Sequence, residues 1–353
     1  MAYISFQPHD HFNTKLYTGN SNSGNSNTQS ITGVGFQPDW VWIKNRGSAA
    51  DHALFDAVRG VTKMLNSNNT EAQETVADTL TAFDSDGFTL GTDLNQGVVN
   101  NLNETFVSWN WKANGAGSSN SDGTITSTVS ANTTAGFSIV KYTGTGAVGT
   151  IGHGLGLELD CIIMKQIDDN SGYNWKVYLR SRGANKVTAL DTNGAESTNT
   201  AYLNNTDPTS SVFTVGADGG SNKSGDDMIA YCFAEKTGFS KFGTYLGNGS
   251  ATNGPFIYTG FNPGMVIIKY YSGGAENWRM FDNKRIGYNP NNYKLYPSLN
   301  NTEGTSDLID LYSNGFKPRS TSVEFNGDGN TYAFFAFAAE PFVASNGDPA
   351  LAR

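Results

Sequence analysis

The four histidines are the residues best suited to acid–base or metal chemistry, and their spacing favours neither. They stand at positions 9, 11, 52 and 153, too scattered to supply a shared active site. His9 and His11 flank Asp10, and two imidazoles beside a carboxylate could begin a metal site. Three ligands in an N-terminal arm are a weak metal signal, so we expect no metal centre.

Other reactive motifs lack the context that their chemistry needs. GTGAVG, Gly144 to Gly149, has the glycine spacing of a dinucleotide loop, but a strand and not a helix is expected after it. DSDG, Asp84 to Gly87, begins like a calcium loop without the later ligands, and a hairpin turn explains it better. The pairs Asp168–Asp169 and Asp226–Asp227 have no recurring partner that would indicate a glycosidase. We expect neither a cofactor nor catalytic residues.

Composition predicts short strands joined by polar turns. Of 353 residues, 37% are hydrophobic, 16% are charged and 41 are glycine, which favours an all-β fold. The net charge of −9 argues against a nucleic-acid partner, and no apolar run approaches the roughly 18 residues that insert across a bilayer. The first ten residues do not resemble a secretion signal. Cys161 and Cys232 have no cationic neighbour to activate them and are expected to be buried thiols.

One sequence pattern occurs three times in the chain. NWRMFDNKR, Asn277 to Arg285, matches NWKVYLRSR, Asn174 to Arg182, and more faintly HALFDAVR, His52 to Arg59. An apolar run closed by lysine precedes each copy, and an aromatic alternation ends each repeat. The lysines are Lys44, Lys165 and Lys269, and the aromatic pairs are Trp109 with Trp111, Tyr231 with Phe233, and Phe335 with Phe337.

Strand periodicity within this pattern predicts three tandem lectin-like or jelly-roll-like β-sandwich domains of about 100 residues each. Some strands are apolar on both faces, which suggests that a neighbouring domain or a loop covers the second face. Only residues 68–80 could form a helix. The predicted units are an N-terminal docking arm at 1–11, repeat 1 at 12–115, a Ser/Thr/Gly-rich connector at 116–136 whose TITSTV string could pair as a strand, repeat 2 at 137–238, repeat 3 at 239–342, and a polar tail at 343–353.

Five recurring residues are expected to have structural roles. A repeated arginine most often pairs with a carboxylate of its own domain, and Asp56 and Asp282 stand three residues before two of the arginines. A tryptophan at the start of each nonapeptide could instead stack on a sugar, but His52 at the matching place favours packing. The five are Arg59, Arg182, Arg285, Trp175 and Trp278.

Two segments are candidates for contact with a partner. The arm offers side chains that could dock the protein on a larger particle: Tyr3, Phe6, His9 and His11. The string YNPNNYKLY is dense in tyrosine and asparagine, which can stack on and hydrogen-bond a glycan or pack against a protein. Its candidate ligand or partner residues are Tyr288, Asn291, Tyr293 and Tyr296.

Several strings together resemble the tandem β-domain virion structural proteins of tailed bacteriophages, especially those that infect marine bacteria. The resemblance covers residues 12–342 and rests on SITGVGFQPDWVWIKNR, FDAVRG, STVSANTTAGFSIVKYTGTG, GHGLG, SNGF and YAFFAFAAEPF. It implies a non-enzymatic virion protein, made in the bacterial host cytoplasm, with other virion proteins as partners. Repeat 2 departs from the pattern because it lacks the GFQP or GFNP phrase and the NGF turn.

Within this resemblance, the favoured expectation is a capsid decoration or knob protein that contacts the major capsid protein, with a homo-oligomer on the particle. The alternative is a receptor-binding tail fibre or adhesin that recognises a host surface glycan. Such proteins usually add an attachment domain and a trimerising stalk, and the sequence has neither heptads nor shaft repeats. A glycan-cleaving tailspike is a third reading, which would need the paired carboxylates that the sequence does not indicate.

Overall fold

The computed structural model describes residues 6–94, 96–306 and 309–341, and over these residues the fold is almost entirely β. This confirms the predicted all-β class. The described helical elements are one short 3₁₀ turn, Pro8–Asp10, and one four-residue helix, α1, Gly219–Asn222. Residues 68–80, which could have formed a helix, are instead a loop that contains a two-residue strand, Glu74–Thr75, and whose last residue begins another strand. Tyr3 and the tail at 343–353 lie outside the described residues.

The strands follow the three repeats along the chain. Repeat 1 contains β1 (Phe12–Thr18), β2 (Gln29–Thr32), β3 (Trp40–Asn45), β4 (Ala53–Asp56), β5 (Lys63–Met64), β6 (Glu74–Thr75), β7 (Leu80–Asp84), β8 (Gly87–Leu90) and β9 (Thr105–Trp111). The connector and repeat 2 contain β10 (Ser118–Asn120), β11 (Ser127–Asn132), β12 (Phe137–Thr143), β13 (Gly149–Gly152), β14 (Cys161–Gln166), β15 (Lys176–Leu179), β16 (Lys186–Ala189), β17 (Ser197–Thr198), β18 (Val212–Val215) and β19 (Asp227–Phe233). Repeat 3 contains β20 (Ser240–Leu246), β21 (Ile257–Tyr258), β22 (Phe261–Tyr270), β23 (Arg279–Asp282), β24 (Ile309–Tyr312), β25 (Gly315–Pro318) and β26 (Thr331–Pro341).

Each repeat contributes four antiparallel strands in the same order. These are β1-β9-β3-β4, β12-β19-β14-β15 and β20-β26-β22-β23. The register also matches, since Trp42 pairs with Trp109, Ile163 with Tyr231, and Ile267 with Phe335. In repeat 2 the sheet grows to eight strands because β10 and β11 extend one edge and β16 and β17 extend the other. The TITSTV string therefore leads into a paired strand, β11, within the predicted connector.

The central strands are buried on both faces, as their apolar pattern predicts. In β3, Val41 and Ile43 belong to a core confined to repeat 1, whereas Trp40 and Trp42 belong to a core shared by all three repeats. Aromatic residues at matching positions meet there: the ring centroid of Phe337 lies 5.4 Å from that of Trp111 and 5.5 Å from that of Phe233. The three sheets thus pack against one another through a common aromatic centre.

The two cysteines confirm the expected buried thiols. Cys161 and Cys232 are free and buried on neighbouring strands of repeat 2. Burial raises the pKa of both thiols, which keeps them protonated and unreactive at neutral pH.

Candidate functional site

The polar residues that recur in the sequence lie at the junctions between repeats. At each junction, one ring nitrogen from the start of the nonapeptide contacts a backbone carbonyl of another repeat. These hydrogen bonds join Trp175 Nε1 to Asn66 O at 2.8 Å, Trp278 Nε1 to Ala189 O at 2.8 Å, and His52 Nε2 to Tyr296 O at 2.9 Å. Repeat 2 thus reaches repeat 1, repeat 3 reaches repeat 2, and repeat 1 reaches repeat 3. The contacts close a ring with approximate threefold symmetry.

His52 stands where the other two repeats have tryptophan. Its neighbours fix its protonation state, so that it makes the same kind of contact. Trp42 Nε1 donates to His52 Nδ1 at 2.8 Å, so the other ring nitrogen carries the proton that is donated to Tyr296. Burial lowers the pKa of His52 well below its ordinary value, which keeps the imidazole neutral. The histidine therefore acts as an N–H donor, as the tryptophans do.

A second set of hydrogen bonds runs across each junction in the opposite direction. In each repeat, one residue in the loop between β5 and β6, or in its counterpart, donates its backbone N–H to a carbonyl of the next repeat. The acceptor lies two residues after the lysine that closes the apolar run. The pairs are Gln73 N to Ile167 O at 2.9 Å, Glu196 N to Tyr271 O at 3.3 Å, and Glu303 N to Arg46 O at 3.0 Å. Two cross-repeat bonds per junction explain why these loops are ordered without long strands of their own.

Two junctions contain a buried ion pair. Arg285 Nε donates to Asp282 Oδ2 at 2.6 Å, and Arg59 makes the same contact with Asp56. All four side chains are at most 1% exposed. Each carboxylate also accepts a hydrogen bond from an aromatic residue of another repeat: Tyr231 Oη to Asp56 at 2.8 Å, and Trp109 Nε1 to Asp282 at 3.1 Å.

At the third junction, apolar residues replace the aspartate and its aromatic donor, and the arginine is kept. Leu179 stands where the other repeats have aspartate, and Phe335 stands where they have Tyr231 or Trp109. Arg182, which has no aspartate three residues before it, donates from Nε to Glu196 Oε2 at 2.7 Å and lies 4.2 Å from the ring centre of Tyr271 in repeat 3. The expected arginine–carboxylate pairing thus occurs in all three repeats, with a different carboxylate in repeat 2.

The three strand-ending lysines are also buried at these junctions. Lys165 Nζ donates to Thr70 O of repeat 1 at 3.0 Å, and Lys269 Nζ donates to Asn193 O of repeat 2 at 2.9 Å. Lys44 Nζ instead donates to the neighbouring Asn45 O at 2.6 Å. Burial lowers the pKa of each lysine to about 8.

Burial raises the pKa of four carboxyl groups of the described chain, those of Asp39, Asp93, Asp160 and Asp191, and each accepts a hydrogen bond from a backbone N–H. Burial raises the pKa of Asp93 to about 6 and that of Asp191 to about 7. Asp93 accepts from Val99 N at 2.7 Å, and Asp191 accepts from Trp175 N at 3.1 Å. Among the described residues, no group of three or more His, Cys, Asp or Glu side chains could hold a metal ion. The four aspartates thus fix the backbone, and the recurring residues described above are the ones that cross-link repeats.

The structure folds part of the arm onto the body. The Phe6 ring lies 5.5 Å from that of Phe239 and 4.9 Å from that of His11. His11 also contacts Asn132 Nδ2 at 2.9 Å, and burial lowers the pKa of its ring. Of the four candidate docking residues, Phe6, His9 and His11 lie within the described range. His9 is the exposed one of these three.

The candidate loop of repeat 3 is likewise divided. Tyr288 is 65% exposed and Tyr293 is half-buried. Asn291 is buried and donates from Nδ2 to the carbonyl of Asp282, and the ring of Tyr296 lies 4.2 Å below the guanidinium of Arg279. Asn291 and Tyr296 therefore hold the loop, and the tyrosines at 288 and 293 are the ones a partner could reach.

Sequence reasoning missed an aromatic surface on the small sheet of repeat 3. Phe256 is 49% exposed and Tyr258 is 58% exposed, and the matching positions of repeat 1 are Ser30 and Thr32. The Phe256 ring lies 5.7 Å from that of Tyr312. A comparison of the repeats position by position could have found it, since aromatic residues replace hydroxyl residues there.

Fold and junctions together define an all-β protein whose three repeats share one core. The chain belongs to the DUF7483 family, which is defined by a domain of unknown function, and the family's model matches residues 7–341. No curated protein and no solved structure matches the chain. In the described residues, no helix is long and apolar enough to cross a membrane.

Proposed function

We propose that this chain is a non-enzymatic structural protein on the surface of a bacteriophage virion, and that it decorates the capsid. The proposal begins from the resemblance to tandem β-domain virion proteins. We further propose that the three repeats are jelly-roll-like sandwich units fused into one closed ring. The major capsid protein is the proposed partner, and the protein is made in the host cytoplasm before assembly.

One observation carries the proposal: most of the buried polar residues that recur in the sequence make hydrogen bonds between repeats. The ion pair of Arg285 with Asp282, its bond from Trp109, and the ring bonds of Trp175 and Trp278 all stabilise the ring. Such a body is suited to carry load and to resist local unfolding, because each repeat is held by two neighbours. An enzyme would instead direct reactive groups into a cleft.

Approximate threefold symmetry supports the head over the tail. A body with three similar sides can contact three neighbouring shell subunits at once and gains avidity from each. A receptor-binding tail protein is the second candidate, and the exposed rings of Phe256, Tyr258 and Tyr288 favour it because aromatic residues are common at recognition surfaces.

Gold-labelled antibody imaging of intact phage particles distinguishes the two candidates. Label over the head would support decoration, and label confined to the tail would overturn it in favour of receptor binding. A chain that lacks residues 1–5 and carries His9→Ala tests the arm, because it keeps Phe6 and His11 packed on the body. We expect it to melt at the wild-type temperature and to be absent from particles. Normal incorporation would remove the arm from the docking role.

A further inference from the structure

Repeat 2 has an open polar cleft beside the edge strands β15, β16 and β17. Its volume is about 310 Å³, within the range of roughly 300–1,000 Å³ that is common for small-molecule sites. Two loops wall it, one before β15 and one between β16 and β17. The side chains that matter for recognition are Tyr173, Asn174, Lys176, Thr192, Ser197 and Asn199.

Repeat 3 shows why the cleft is open. Lys176 pairs with Ala189 across β15 and β16, and the matching pair in repeat 3 is Arg279 with Tyr296. There the guanidinium lies 4.2 Å from the centre of the tyrosine ring, so the two side chains fill the space. Ala189 has a small side chain. The space that the ring and hydroxyl of Tyr296 fill in repeat 3 is therefore open in repeat 2.

The walls of the cleft are fixed by hydrogen bonds and by two glycines of α1. Asp218 accepts from Asn199 Nδ2 at 2.6 Å and lies 3.2 Å from Lys176 Nζ. A Cβ added to Gly219 would lie 2.3 Å from Tyr173 Oη, and one added to Gly220 would lie 2.4 Å from Lys176 Cε. The glycines therefore make room for the tyrosine and the lysine, which are held before any ligand arrives.

We propose that this cleft binds one pyranose unit of a neutral saccharide. Threonine, serine and tyrosine hydroxyls and asparagine amides can both donate and accept, which matches a ring that carries several hydroxyls. The Tyr173 ring supplies an apolar face for the C–H side of the sugar. Asp218 neutralises Lys176, so an anionic ligand such as phosphate would gain little charge attraction. The inference does not depend on where the protein sits on a particle.

Saturation-transfer NMR on the full chain tests the proposal, with glucose, galactose, mannose and N-acetylglucosamine as probes and inorganic phosphate as the charged comparison. At least one sugar should bind, and phosphate should not displace it. Ala189→Tyr copies repeat 3 into the cleft and should abolish binding, while the Ala189 carbonyl still accepts from Trp278. Val148→Ala, at an exposed side chain of repeat 2 outside the cleft, should bind as the wild type does.

Thr192→Val keeps the side-chain volume and serves if Ala189→Tyr does not fold. We expect its sugar affinity to fall about tenfold, as the loss of one hydrogen bond of about 1.4 kcal/mol predicts. Failure of all four sugars to bind the wild type at about 10 mM would overturn the proposal, as would wild-type affinity in the cleft variants. Either result would leave the particle-labelling experiment, and the virion proposal that it tests, unaffected.

Discussion

The junction between repeats 2 and 3 lacks the buried aspartate and the aromatic donor that the other two junctions share. At the others, a buried aspartate binds both an arginine of its own repeat and an aromatic donor of another repeat. Between repeats 2 and 3, Leu179 and Phe335 take the places of aspartate and donor, and Arg182 binds Glu196. Aspartate and donor are thus replaced together, which indicates that they act as a unit.

Physical chemistry explains why a partial change would fail. A buried charge is tolerated only while its partners are present, because its desolvation costs several kcal/mol. Removing aspartate alone would take one carboxylate from the buried guanidinium, which in repeat 3 keeps Glu303 at 3.0 Å, and would leave the aromatic donor without its acceptor. Removing the donor alone would leave a carboxylate oxygen short of a hydrogen bond. Replacing aspartate and donor together with apolar side chains leaves neither group unpaired, and repeat 2 already has this arrangement, with Arg182 paired to Glu196.

The largest expected effect comes from converting half of a polar junction. Asp282→Leu should lower the free energy of unfolding by about 3 kcal/mol, because the buried Arg285 loses one of its two carboxylate partners in the described chain, keeping Glu303, and Trp109 loses its acceptor. Urea denaturation of the full chain measures the loss.

The matched control is complete conversion. Asp282→Leu with Arg285→Met and Trp109→Phe removes the whole polar set, and Glu303, which loses its bond from Arg285, keeps its bond from Arg46 at 2.8 Å. We expect this triple variant to recover most of the lost stability. If it is as unstable as the single variant, the polar set is not a replaceable unit.

The reverse conversion at the apolar junction should produce a smaller, cooperative effect. Leu179→Asp buries a carboxylate beside apolar residues, and Phe335→Tyr buries a hydroxyl without an acceptor, so each should be destabilising alone. Together they restore the aspartate–tyrosine pair seen at Asp56 and Tyr231. A double-mutant cycle should give a favourable coupling of about 1–3 kcal/mol. Additive losses would contradict the equivalence of the junctions.

The sequence predicted the elements of this comparison but not their partners. All-β architecture follows from period-two patterning, and the pairing of Arg59 with Asp56 follows from a spacing of three residues. The partner of Arg182 is 14 residues later in the chain, and the donors Trp109 and Tyr231 belong to other repeats. Contacts of this range depend on how whole sheets pack, which local patterns do not encode.

The absence of a helix at residues 68–80 and the divided loop of repeat 3 have a common cause. Residues 68–80 favour a helix by composition, but Gln73 N binds Ile167 O and Ala72 N binds Asn170 Oδ1, so tertiary contacts override the propensity. In the YNPNNYKLY loop, Asn291 and Tyr296 are as polar as their neighbours, yet they are the members that face inward. Composition identifies such a loop without indicating which side chains reach solvent.

The smallest expected effect concerns the three buried lysines. In the described chain, Lys165 and Lys269 donate hydrogen bonds across a junction, and Lys44 donates within its own repeat. The pKa of Lys165 is about 8 in the fold against an ordinary value of 10.5, so the folded chain binds fewer protons than the unfolded chain between those values. Stability should therefore rise with pH above 8. Lys165→Met should reduce that rise by about 1 kcal/mol between pH 7 and about 8.7, measured by urea denaturation at each pH.

Lys44→Met is the paired variant that separates burial from the cross-repeat bond. The pKa of Lys44 is also lowered to about 8, so the same loss of pH dependence is expected. At pH 9.5, where much of the charge penalty is gone, Lys165→Met should be the less stable of the two, because it also loses the bond to Thr70 O of repeat 1. Lys44 donates only to its neighbour Asn45. Equal stability of the two variants at that pH would mean that the lysine bond contributes nothing to joining the repeats. The bond from Trp175 to Asn66 O and the backbone bond from Gln73 to Ile167 O would then hold this junction.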